Sequence, residues 1–74
     1  MDFKNRLREL HAETGKNLKL DAELSGVSYP VFWEYMNDKR RNPCLRNVLL
    51  LARHYDVSTD YLLGVTDVRR RFGQ

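Results

Sequence analysis

Apolar side chains recur at helical intervals along most of this chain, and breaks in the recurrence divide it into successive segments. Phe3, Leu7 and Leu10 share one face and the pattern stops near Gly15, which predicts a first helix. Asn17 is placed to cap a second helix, from Leu18 to about Ser25. Ser28 is placed to cap a third, which tolerates Pro30 in its first turn. That helix is expected to run to about Met36 and stop at Asn37-Asp38, two residues that favour turns. Asn42 followed by Pro43 predicts the start of a fourth helix, with Val48, Leu51, Ala52 and Tyr55 on one face. Ser58 caps a fifth, Asp60 lies near its positive N-terminus, and Gly64 ends it. No strand alternation, repeat or low-complexity stretch appears, so the expected class is all-α. Residues 1–67 form the expected domain; residues 68–74 have little to bury and are expected to be a short basic tail.

The junction between the second and third segments, Ala22 to Ser28, carries the most specific local signal. Gly26 can take positive φ and end a helix sharply. Ala22, four residues earlier, is small enough for the next helix to cross it. Two helices joined by a short Gly-containing turn form the DNA-reading motif of many repressors. Taken alone, the small-x-x-x-Gly spacing is a weak signal, because many helix ends show it.

The length of 74 residues allows one domain with a small core, so self-association is the expected extra support. A single cysteine, Cys44, excludes an internal disulfide and a cysteine-based zinc site. No run reaches the length of a membrane span and no signal peptide opens the chain, so the expected location is the cytoplasm of a bacterial or phage-infected cell. The net charge of +3 is unevenly spread. Residues 37–53 hold Lys39, Arg40, Arg41, Arg46 and Arg53 against Asp38, whereas residues 1–36 are net −1. Positive charge thus follows directly after the third segment, where a helix-turn-helix meets backbone phosphate.

The run from Asn42 to Gly64 resembles the back half of the lambda-repressor/Cro (XRE-type) DNA-binding domain. Ala52 to Gly64 follows that family's L-A-x-x-x-x-V-S-x-D-Y-L-L-G pattern closely. Phe3 to Leu10 resembles its first helix, and Asn37-Asp38-Lys39-Arg40 its N-G-K-x loop, so the likeness covers residues 2 to 67. The resemblance implies a compact five-helix lambda-repressor-like domain with the helix-turn-helix at helices two and three. It also implies sequence-specific binding to double-stranded DNA, as a symmetric homodimer, by a Cro-like or small phage or mobile-element regulator. In the family register Val27, Phe32 and Tyr35 are buried, and Tyr29, Pro30, Trp33 and Glu34 face the groove as candidate base readers. Asn17, Ser28, Asn37, Lys39, Arg40 and Arg41 become the phosphate candidates.

The candidate readers are an unusual set. Family members commonly carry Gln, Arg, Ser or Thr there, because base edges are read by hydrogen bonds. Glu34 can accept from cytosine N4, and Tyr29 and Trp33 suit a thymine methyl. Helix two departs as well: Asp21 and Ser25 stand where the family is apolar, Leu20 and Leu24 where it is polar, and Leu18 where it has Gln. Either that helix is rotated or its leucines are exposed.

Leu20, Leu24, Tyr29, Trp33 and Met36 therefore support a rival expectation, a protein-binding surface that pairs with a repressor protein as a modulator or antirepressor. Clustered aromatics at helical spacing are otherwise core. His11 and His54 are expected to be surface or partly buried helix residues without a metal role. Cys44 is expected to be a small buried or half-buried residue. Asp56 and Asp60 are explained by turn and cap. No nucleophile, base and orienting group occur together and no phosphate loop is present, so neither an enzyme nor a cofactor is expected.

Overall fold

The computed structural model describes residues 2–37 and 42–70, and within them the chain is all-helical. Its helices are α1 (Phe3–Thr14), α2 (Leu18–Ser25), α3 (Tyr29–Asn37), α4 (Leu45–Tyr55) and α5 (Thr59–Leu62). α1 packs on α3 and α5, α2 packs on α3 and α4, and α4 closes against α5. Phe3, Leu7 and Leu10 of α1 meet Phe32 and Tyr35 of α3 and Leu51 and Leu62 in one buried core. The Phe3 and Tyr35 rings meet edge to face at 5.3 Å, the arrangement that opposed ring quadrupoles favour.

Caps fix most helix ends where the sequence marks them. The Asn17 side chain accepts from the Leu20 N–H, and Ser58 Oγ accepts from the Tyr61 N–H. Gly15 ends α1 in the left-handed region at φ 70°. α4 begins later than expected: Asn42 and Pro43 lie outside it and Cys44 holds the N-cap position with extended backbone, ψ 159°. Cys44 is also exposed, not buried or half-buried: it stands at the N-cap with extended backbone, ahead of Val48, the first buried residue of α4.

The C-terminal segment begins differently from a free tail at 68. The Ser58 N–H donates to the Arg69 carbonyl at 2.8 Å and Ser58 Oγ donates to the Val68 carbonyl at 3.2 Å. The Arg69 guanidinium bonds Glu13 through two nitrogens, at 2.9 and 2.6 Å, and Glu9 at 2.7 Å. Val68 and Arg69 are thus strapped across α5 onto α1.

Candidate nucleic-acid interface

The bend between α2 and α3 is built from small side chains and one left-handed glycine. Gly26 has φ 88°, and its N–H donates to the carbonyls of Ala22 and Glu23 at 3.1 and 3.3 Å. Ser25 Oγ donates to the Ala22 carbonyl and accepts from the Val27 N–H, so the turn's polar groups are paired internally. Ala22 is fully buried, which lets α3 cross α2 closely. Ser28 precedes α3 and its carbonyl accepts from the Phe32 N–H; among the described residues its hydroxyl makes no capping bond.

α3 turns Phe32 and Tyr35 inward, with Val27 buried just before it. Tyr29 and Trp33 lie on the opposite face at 44% and 49% exposure, and with Pro30 and half-buried Glu34 they line one shallow depression. The four candidate base readers are therefore brought together on one surface. Met36 does not line it: it is half-buried and packed against the core, one helical turn from buried Phe32 and next to buried Tyr35. The Asn37 side-chain amide donates to the Trp33 carbonyl at 2.9 Å, so it serves the end of α3. Lys39, Arg40 and Arg41 lie outside the described residues.

α2 is not rotated. Leu20 and Leu24 point outward at 41% and 55% exposure, and Asp21 and Ser25 point into the core. Asp21 is wholly buried yet fully bonded. Its carboxylate only accepts, so His11 Nδ1–H donates to Oδ2 and His54 Nε2–H donates to Oδ1, both at 2.6 Å. The Tyr55 hydroxyl donates to Oδ2 at 2.5 Å. Burial alone drives a carboxyl's pKa upward, but the bonds from Tyr55, His54 and His11 outweigh it and hold Asp21 below the ordinary carboxylate range. Burial and the adjoining carboxylate push the Tyr55 hydroxyl far above the usual tyrosine range. The cluster ties α2 to α1 and α4, so it fixes the platform from which α3 projects.

No family model matches the chain. Over 62 residues it is 37% identical to "Uncharacterized HTH-type transcriptional regulator YobD" of Bacillus subtilis (strain 168), a match covering 84% of this chain and 54% of that protein. The chain thus spans about half the length of that relative. It carries a helix-turn-helix domain.

The buried Asp21 cluster is what the sequence reading missed. His11 and His54 are partly buried as expected, but they act as donors to a shared core anion. The one available signal was an acid at an inward position of α2 in a chain that also carries two histidines. Among the described residues no group of His, Cys, Asp and Glu is arranged to hold a metal ion, and no helix is long and apolar enough to cross a membrane.

Proposed function

We propose that the domain binds double-stranded DNA sequence-specifically and acts as a transcriptional regulator, a small repressor of the Cro or phage and mobile-element type that pairs as a homodimer on a two-fold site. One observation carries this reading. α3 presents Tyr29, Pro30, Trp33 and Glu34 on one exposed face, and the basic run Lys39, Arg40 and Arg41 follows it directly in the chain. In this reading Glu34 accepts from cytosine N4, Tyr29 and Trp33 pack on thymine methyls, and Ser28 with the basic run meets phosphate. Such a protein works in the cytoplasm, where the DNA is. The transcriptional role named for the relative supports the same reading.

A second reading is favoured by the apolar character of the exposed side chains. Tyr29 and Trp33, with Leu20 and Leu24 outward on α2, suit a protein partner such as a repressor. Selection from random duplexes at two salt concentrations separates the two. DNA reading gives an enriched sequence and an affinity that falls steeply with salt. Protein binding gives no enrichment, with tight association to a repressor instead.

A further inference from the structure

Away from α3, exposed leucines lie on α2 and α4. Leu45, Leu49 and Leu50 line a groove along α4, edged by Arg46 and Arg53. Leu45 is 74% exposed and Leu49 47%. The two helices run antiparallel: Asp21 bonds His54 and Tyr55 at one end, and at the other Gly26 lies beside Leu50, whose methyl carbons would be 3.7 and 3.8 Å from a Cβ there. The exposed leucines of α2 and the α4 groove therefore flank the same bend. The band comprises Leu20 and Leu24 on α2, Leu50 beside the bend, and Leu49 and Leu45 toward the start of α4.

Charge is distributed unequally along this band. Exposed Glu23 lies on the α2 half, three residues before the Gly26 that flanks Leu50, and exposed Arg46 lies on the α4 half, four residues before Leu50. A two-fold axis near Leu50 sets each half of one copy against the other half of the next. Leu20 and Leu24 then meet the partner's α4 groove, and Glu23 meets the partner's Arg46, twice by symmetry. This arrangement pairs opposite charges, and its residues are distinct from Tyr29 and Trp33, which line the α3 depression.

We infer that this α2–α4 leucine band is the surface through which two copies of the chain pair, with Glu23 of each facing Arg46 of the other. The inference rests on the pairing proposed above and is independent of whether α3 reads DNA. Sedimentation equilibrium without DNA, from about 1 μM to about 1 mM, tests it. The parent chain is expected to shift from monomer to dimer. Leu24→Glu and Leu49→Glu should each keep it monomeric with helicity by circular dichroism intact, since both side chains are exposed. Glu23→Arg and Arg46→Glu should each raise the dimer dissociation constant by about tenfold, and the two together in one chain should restore it. A parent that stays monomeric throughout overturns both the pairing and the interface. A dimer that survives both leucine changes overturns the interface alone, and failure of the double charge swap to restore pairing overturns the two-fold register.

Discussion

Asp21 shows how one side chain can hold three helices and set the acid limit of a small domain. Its folded pKa lies below the ordinary value of 3.8. A lowered carboxyl stabilises the fold fully above its unfolded value, about 3.9, and the contribution is lost as pH falls through the lower folded value. Acid unfolding is therefore expected below about pH 4, and Asp21→Asn should flatten that limb. The amide also replaces one acceptor oxygen by an N–H₂, which then opposes either His54 or the His11 and Tyr55 pair in a buried site, so Asp21→Asn should lose about 2–4 kcal/mol at pH 7 by urea denaturation. Stability equal to the parent's would show that the cluster contributes nothing. Glycines differ in the same local way. At Gly26 an added Cβ meets only Leu50 at ordinary contact distance, so Gly26→Ala should cost about 1–2 kcal/mol for its φ of 88° alone. At Gly64, φ 81°, the Cβ would lie 2.9 Å from Asp2 Cβ and 3.0 Å from the Asp2 nitrogen. Gly64→Ala should therefore lower the thermal midpoint more than Gly26→Ala.

At the scale of the element, α3 puts core residues on one face and the proposed readers on the other. Phe32 and Tyr35 hold it in place from the core side, and Trp33 stands on the outer face. In duplex selection, Glu34→Gln should alter the preferred base at one position by about 1–3 kcal/mol and leave general affinity unchanged. Arg40→Ala should do the reverse, weakening all duplexes alike and reducing the salt slope by about 1. An identical sequence preference for Glu34→Gln would remove that residue from readout. The helices themselves were legible because their information is local. Phe3, Leu7 and Leu10 repeat with the helical period, Asn17 and Ser58 cap the residues just after them, and Gly26 marks its own turn. The start of α4 was misplaced because Asn42-Pro43 signals a helix start in general, whereas here extended Cys44 intervenes. The Asp21 cluster was illegible because its partners lie 10, 33 and 34 residues away, and no local pattern links them. The same holds for the exposed candidate site, whose grouping follows from the period of α3 but whose ligand chemistry does not.

At the scale of the whole molecule, the two ends of the described chain are stitched together. Arg6 bonds Asp67 at 2.7 Å and lies 4.1 Å from the centre of the Tyr61 ring, and Arg69 reaches Glu9 and Glu13 on α1. The Glu13 carboxyl is held below its usual range by Arg69, and that of Glu9 by Tyr61 and then Arg69. Arg69, Glu9 and Glu13 are exposed, so salt weakens the strap. Arg69→Gln should leave the thermal midpoint nearly unchanged and speed hydrogen exchange at the Ser58 N–H, which bonds the Arg69 carbonyl. Unchanged exchange would mean that the backbone holds the segment without the guanidinium.

Trp33 is the single tryptophan of the chain, and half of it is bare on the α3 surface. Emission excited selectively from tryptophan, beyond the absorption of the tyrosines, is consequently a report from one spot, with no interior indole to dilute it. A base or an apolar partner settling over Trp33 changes that light directly, by quenching in the first case and by a shift to shorter wavelength in the second. The domain thus carries its own optical probe of occupancy, and titrations can be read without attaching a dye.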